Sequence, residues 1–127
     1  MSQSILSLNE IMSNDPRELE VTGFGTVKVR DPTVDDKIKA REEAKKDSRW
    51  AELNEAEKNA LILDLLSLKL IVDPKISVEN YYTANSVKLS NIISSVIMDY
   101  TVRHKKMQDK RQKEIDIFLE AVKESNQ

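Results

Sequence analysis

Residues 54–72 read NEAEKNALILDLLSLKLIV, and this stretch decides how the rest of the chain has to fold. Asn54, followed three residues later by Glu57, forms a capping-box pattern that predicts a helix start. The apolar residues beyond it point in every direction on a 3.6-residue wheel, so neighbouring elements have to enclose the helix. Asp64 and Lys69 interrupt the run, which therefore lacks the roughly 20 uninterrupted apolar residues of a membrane span. We expect a buried central helix and no membrane segment.

The composition is that of a small protein with a mixed-charge surface. The 127 residues fit a single domain, 1–127, that is large enough to bury a core without disulfide or metal staples. The sequence contains no cysteine, which excludes disulfides, thiolate nucleophiles and the usual structural zinc sites. Charged residues make up 33% of the chain but the net charge is only -2, so no global field attracts nucleic acid. The N-terminal residues show no export-signal pattern, and we expect a cytoplasmic protein, in the host cell if the protein is viral.

Residues 1–16 form an N-terminal arm, and residues 17–31 predict a β-hairpin. The arm carries a short apolar run made of Ile5, Leu6, Leu8, Ile11 and Met12. The hairpin pattern is ELEVTGFGTVKVR, in which apolar and polar residues alternate on both sides of a glycine-containing turn.

The predicted hairpin register places its four apolar side chains on one face. Val21 would pair with Val27, and Leu19 with Val29. Because an isolated two-stranded ribbon is marginal in water, this face should pack on the helices or the ribbon should pair with the edge of another chain.

Residues 33–127 are predicted to be helical. Thr33 and Asp36 form a second capping box that starts a surface helix, and Trp50 is expected to anchor the core beside the central helix. Ser86 is the expected cap of the last pattern, which runs to Ser125 without glycine or proline. This pattern is either one long helix or two helices folded back near residue 108. Its apolar stripe resumes close to the end, at Ile115, Phe118, Leu119 and Val122.

Candidate catalytic groups are few. His104 is the only histidine, and it lies among lysines with no cysteine or activated serine pattern to accompany it. The paired carboxylates at residues 35–36 and 42–43 are interpreted as helix stabilisers. The glycines of the hairpin turn lack the lysine and the following helix of a phosphate loop. We therefore predict a non-enzymatic protein with no cofactor and no metal site.

One basic tract, residues 103–113, suggests a nucleic-acid interface. A phosphate-binding helix needs its cations on one face with little opposing charge. Here Asp109 is interleaved, Glu114 and Asp116 follow, and no aromatic platform lies among the cations. The pattern therefore favours a solvated helix or contact with an acidic protein segment over nucleic-acid binding.

Three segments together resemble the small tail assembly chaperones of long-tailed bacteriophages and prophages. They are the ribbon ending in VKVR with the following Pro32-Thr33, the RWAEL segment, and the leucine-rich helix ending in Asp73-Pro74-Lys75. The resemblance covers roughly residues 19–122. It implies a non-enzymatic protein that binds the long, aggregation-prone tape measure protein before the tail tube polymerises, and that often self-associates.

We expect a mainly α fold with a small N-terminal β-hairpin, a compact helical domain around the central helix and a long C-terminal helix or helical hairpin. The partner would be a tape measure protein or another helical client, with a homo-oligomer as a further possibility. Two alternatives stay open: a small helical regulator that binds nucleic acid through residues 103–113, and a structural virion or adaptor subunit. The candidate partner-binding residues are Leu19, Val21, Val27, Val29, Ile115, Phe118, Leu119 and Val122.

Overall fold

The computed structural model describes residues 5–125 and has the expected class, mainly α with a small N-terminal sheet and a long C-terminal helix. The strands are β1 (Arg17–Val21), β2 (Gly25–Val29) and β3 (Ile71–Asp73). The helices are α1 (Leu8–Met12), α2 (Val34–Lys45), α3 (Glu55–Leu70), α4 (Val78–Thr83) and α5 (Ser86–Ser125), and a 3₁₀ turn spans Trp50–Glu52. The chain divides into two units, Met1–Val96 and Ile97–Gln127.

The central helix α3 begins as predicted. The Asn54 side chain accepts a hydrogen bond from the Glu57 amide at 2.8 Å, and the Glu57 carboxylate accepts one from the Asn54 amide at 3.0 Å. These two bonds satisfy two of the backbone donors that every helix start leaves open. The helix packs against α2, whose Ala40 and Ala44 are fully buried at the contact. Five leucines of α3 lie in the core: Leu61, Leu65, Leu66, Leu68 and Leu70.

The last part of the apolar run is a strand and not a helix. The prediction that the helix continues to Val72 is wrong, because α3 ends at Leu70 and Ile71–Asp73 pairs antiparallel with β2. The Arg30 amide donates to the Leu70 carbonyl at 2.9 Å where helix and strand meet. The hairpin is therefore part of a three-stranded sheet with the order β1-β2-β3, and the inner edge of β2 is covered.

The hairpin register differs from the predicted one by two residues. Leu19 lies opposite Val27, and Val21 lies opposite Gly25, where the prediction paired Val21 with Val27. The turn is tighter than expected: the Phe24 amide donates to the Val21 carbonyl at 2.9 Å, and Gly23 supplies the positive φ of 83° that the turn needs. A shift of two residues preserves the faces of a strand, so the predicted apolar face is still formed.

The sheet packs its apolar face into the core of the first unit. Val21, Val27 and Val29 are buried there with Leu70, Ile71 and Val96, and Leu19 packs at the border of this cluster. Trp50, in contrast, is only half-buried and lies under the Lys58 ammonium at 5.1 Å. The prediction that it anchors the core is wrong, because Trp50 is not one of the buried residues that form the core.

Helix α5 runs without interruption over 40 residues, which settles the choice between one helix and two in favour of one. Its start is capped by Asn85, whose side-chain oxygen accepts from the amides of Val87 and Lys88 at 3.1 Å, and not by Ser86 as predicted. Leu89, Ile93 and Val96 are buried. Every side chain from residue 101 to residue 125 is exposed.

Candidate functional site

The candidate site is an apolar stripe near the end of α5, which we call the distal stripe: Ile115, Phe118, Leu119 and Val122. Their exposed fractions are 42%, 65%, 56% and 39%. At about 100° per residue, the four side chains fall within an arc of about 100° on one side of the helix. A contiguous apolar face of this kind, surrounded by charged residues, is typical of a protein-binding surface.

The backbone under the distal stripe is regular helix, which holds the four side chains in a fixed spacing. The Gln112 side chain donates to the Asp116 carboxylate at 2.9 Å, an i,i+4 contact that supports the turn beginning the stripe. The Ser125 hydroxyl donates to the Val122 carbonyl at 3.0 Å in the last turn. Side chains at i, i+3, i+4 and i+7 on such a helix are the spacing used when one helix lies in the groove of another.

The hairpin residues do not form a second side-chain site. Val21, Val27 and Val29 are buried in their own protomer, so the interpretation of these three side chains as partner contacts is wrong. Leu19 is half-buried beside them. In the order β1-β2-β3, β2 is the inner strand, and β1 and β3 are the two edge strands of the sheet.

Residues 5–13 of the N-terminal arm are exposed, residues 1–4 lie outside the described part of the chain, and the arm is fixed at its base. The Asn14 side chain donates to the Asp31 carbonyl and accepts from the Asp31 amide, both at 2.8 Å, and the Arg17 guanidinium contacts the Asp31 carboxylate at 3.2 Å. Beyond this clamp, α1 is a five-residue helix capped by Ser7. All five apolar residues of the predicted run are exposed: Ile5, Leu6, Leu8, Ile11 and Met12.

The buried acidic groups of the first unit take part in fixed ion pairs and hydrogen bonds. Two hydrogen bonds from the Arg30 guanidinium, at 2.6 and 3.0 Å, lower the pKa of Asp36 to about 2. Burial raises the pKa of Asp64, although the Tyr81 hydroxyl donates to its carboxylate at 2.8 Å. In the sequence, only the three-residue spacing from Thr33 to Asp36 indicated that this carboxylate is held in place.

A shallow cleft of about 750 Å³ lies between the end of α2 and α4. Hydrogen bonds from Arg49 and Tyr82 hold the pKa of Asp47 well below its usual range, and burial raises the pKa of Tyr82 to about 12. Glu43 forms an ion pair with Lys69 at 2.8 Å across α2 and α3. These contacts join α2, α3 and α4. We therefore interpret the charged residues of the cleft as a network that stabilises the fold.

The basic tract is exposed along its length. At its start the rings of Tyr100 and His104 stack with centroids 5.5 Å apart. Within residues 5–125, no three His, Asp or Glu side chains gather as a metal site. No helix among those described is both long and apolar enough to cross a bilayer.

Comparisons with known proteins give no relative for this chain: no family model matches it, and neither does any curated protein or solved structure searched.

Proposed function

We propose that this protein is a non-enzymatic assembly chaperone that binds a helical client, the tape measure protein of a phage or prophage tail, through the distal stripe. The observation that carries the proposal is the exposure of four large apolar side chains on one face of a continuous helix. A client helix with an apolar face would bury these side chains together with its own, at roughly 25 cal/mol per Å² of apolar surface.

The surroundings of the distal stripe suit a reversible holding function. Charges of both signs flank it, including Arg111, Glu114, Asp116 and Lys123, and keep the unoccupied helix hydrated. Four side chains give a contact smaller than the roughly 800 Å² per partner of a stable complex, so binding would be weak at each site and readily released. Weak, repeated contacts along a long client are what a chaperone needs before polymerisation.

The test compares two aspartate substitutions on the same turn of α5. Phe118 lies in the stripe, whereas Ile117, which is 70% exposed, lies on about the opposite side of the helix. Each variant is coexpressed with a phage tape measure protein, and the amount of soluble client and its affinity for the variant are measured. Phe118→Asp should weaken binding at least tenfold, since a charge desolvated in an apolar contact costs more than about 1.4 kcal/mol.

Ile117→Asp is the matched control and should bind like the wild-type protein. Both variants should unfold at the wild-type urea concentration, because both positions are exposed. Equal binding by both variants would remove the distal stripe from the proposal. Unfolding of Phe118→Asp alone would assign the stripe to the protomer's own core.

Nucleic-acid binding through residues 103–113 is the second candidate, supported by the exposed cations and the Tyr100–His104 stack. Titration of random duplex with increasing salt tests it, because neutralised phosphates give an affinity that falls steeply with salt. No binding at low salt would end this alternative. A structural virion subunit would be retained in purified particles, whereas a chaperone would be missing from them.

A further inference from the structure

The sheet of the first unit has an edge strand, β1, that is long enough to accept a further strand. Within residues 5–125, β1 (Arg17–Val21) pairs with β2 on one side only. An edge strand presents the N–H and C=O groups of alternate residues to an extended chain that lies beside it. The other edge strand, β3, has three residues and is followed by Pro74, which has no amide to donate. β1 is therefore the edge at which a fourth strand can be added.

The exposed face of the sheet carries a row of charges that alternate in sign from strand to strand. Glu18 of β1 lies opposite Lys28 of β2, and Lys28 lies opposite Asp73 of β3. All three side chains are exposed. Opposite charges on neighbouring strands stabilise a sheet, whereas like charges destabilise it. A fourth strand beside β1 continues this alternation if it places a cation next to Glu18.

A second carboxylate on this edge lies opposite an uncharged residue. Glu20 shares the exposed face with Glu18, and its cross-strand neighbour is Thr26. Leu19, between the two glutamates, points to the other face and is half-buried at the border of the core cluster. The edge therefore carries two acidic side chains on one face and an apolar side chain between them on the other. Its complement is an extended segment in which basic, apolar and basic residues follow one another.

We propose that the outer edge of β1 binds an extended basic segment of another protein by strand addition. Cations of that segment lie beside Glu18 and Glu20, and an apolar side chain lies beside Leu19 and completes its burial. Backbone hydrogen bonds along the edge supply the affinity, as in other complexes formed by strand addition. The two ion pairs select basic segments over acidic ones.

The charges of this edge do not suit a second copy of the chain. If two full β1 strands paired with their apolar faces on the same side, glutamates would lie beside glutamates in both the parallel and the antiparallel arrangement. The two runs in which lysine or arginine alternates with apolar residues are Lys28–Arg30, at the end of the inner strand β2, and Lys37–Arg41, in helix α2. A second copy therefore offers no such segment without unfolding, and the occupant is a different chain.

This site differs from the distal stripe in the kind of segment that it binds. The stripe suits the apolar face of a helix, whereas the edge of β1 suits an extended strand. The inference therefore does not rest on the proposed function. Its test uses synthetic peptides and no tape measure protein, so that each of the two can fail without the other.

Peptide binding to the full-length protein tests the selection by charge. The probe is a capped seven-residue peptide in which lysine and valine alternate, and the control peptide has glutamate in place of each lysine. The lysine peptide should bind and shift the backbone amide NMR signals of residues 17–21. The glutamate peptide should bind roughly tenfold more weakly, because two ion pairs become two repulsions.

Two outcomes of this experiment would overturn the proposal. One is equal affinity for the two peptides. The other is no binding of the lysine peptide at millimolar concentration. Charged residues on an edge strand also keep separate copies of a protein from pairing, and the absence of binding would assign Glu18 and Glu20 to that role alone.

A charge reversal tests whether the peptide lies on this edge. Glu20→Lys should weaken binding of the lysine peptide by roughly three- to tenfold and strengthen binding of the glutamate peptide, because it reverses one cross-strand pair. Glu120→Lys makes the same change in net charge at an exposed position of α5 and should leave both affinities unchanged. Equal effects of the two variants would show a general attraction between a basic peptide and an acidic protein, which would overturn the proposal.

Methylation of the peptide backbone tests strand addition on the wild-type protein, independently of how the variants fold. Two lysine peptides carry N-methyl groups on alternate residues, one on the odd and the other on the even positions. Because only every second amide of an added strand faces its neighbour, one peptide should lose binding and the other should keep it. Loss of binding by both peptides, or retention by both, would overturn the proposal.

Discussion

Helix α3 and the distal part of α5 both carry large apolar residues, but their side chains have opposite environments. Leu65 and Leu68 of α3 are almost completely buried, whereas Phe118 and Leu119 of α5 are more than half exposed. The apolar residues of α3 point in all directions and meet α2 and the sheet, whereas those of distal α5 form one narrow stripe. The comparison indicates that α3 stabilises the protomer and that the stripe is available for contacts with another chain.

The largest expected loss of stability tests whether α3 stabilises the protomer while the distal stripe does not. Leu65→Ala should lower the free energy of unfolding by about 3 kcal/mol, because it removes buried methyl groups and leaves a cavity in a packed core. Leu119→Ala is the matched control on the exposed helix and should change it by less than about 0.5 kcal/mol. Urea denaturation followed by circular dichroism measures both. Similar losses for the two variants would contradict the division.

A smaller effect concerns the largely buried carboxylate of Asp36, which forms an ion pair with Arg30. The pKa of Asp36 is lowered from 3.8 to about 2, so its ion pair with Arg30 stabilises the fold above pH 4 and is lost as the pH falls toward 2. This linkage contributes about 1–2 kcal/mol. The wild-type protein should lose that much more stability than Asp36→Asn between pH 5 and pH 2.

Asp35→Asn is the control for this measurement. Asp35 forms an exposed pair with Lys39 at 2.9 Å on the same turn of α2, and such pairs contribute little. Its acid profile should follow that of the wild-type protein. If Asp36→Asn also followed it, the Arg30–Asp36 pair would not contribute to acid stability.

The smallest effect concerns the start of α3. Asn54→Ala removes the side chain that caps the helix and should cost about 1 kcal/mol, whereas Asn54→Ser keeps an acceptor and should cost less. Asn59→Ala, at an exposed position inside the same helix, should leave the stability unchanged or slightly raised. Thermal denaturation of the three variants gives the order, and an equal loss in Asn59→Ala would show that the cap is not the cause.

The local signals in the sequence predicted the local structure well. The predicted capping boxes at Thr33 and Asn54 both form, because each depends on side chains three residues apart. The alternation of apolar and polar residues in the hairpin also identified the buried face correctly, because residues two apart lie on the same face of a strand. The sequence also placed the distal stripe on one face of a helix. That helix continues far past its last buried residue, Val96, and the stripe is exposed.

The errors come from contacts between distant residues. Ile71 continues the apolar run of α3 without a break, and periodicity alone does not separate the end of a buried helix from a short buried strand. Only the presence of Val29 opposite Ile71 makes that segment a strand. Val27 and Val29 are core residues because their side chains pack with Leu70, Ile71 and Val96, which are distant from them in the sequence.

No residue intervenes between the end of α3 at Leu70 and the beginning of β3 at Ile71. The helix can therefore not tilt or unwind at that end without pulling the strand away from β2 and breaking the bond from Arg30 to Leu70. As a result, the sheet has little independent stability, and its amides gain protection from hydrogen exchange only while the last turn of the helix is intact. The β1–β2 hairpin and helix α3 should therefore open and close as one cooperative unit, so the stability of the sheet depends on the stability of α3.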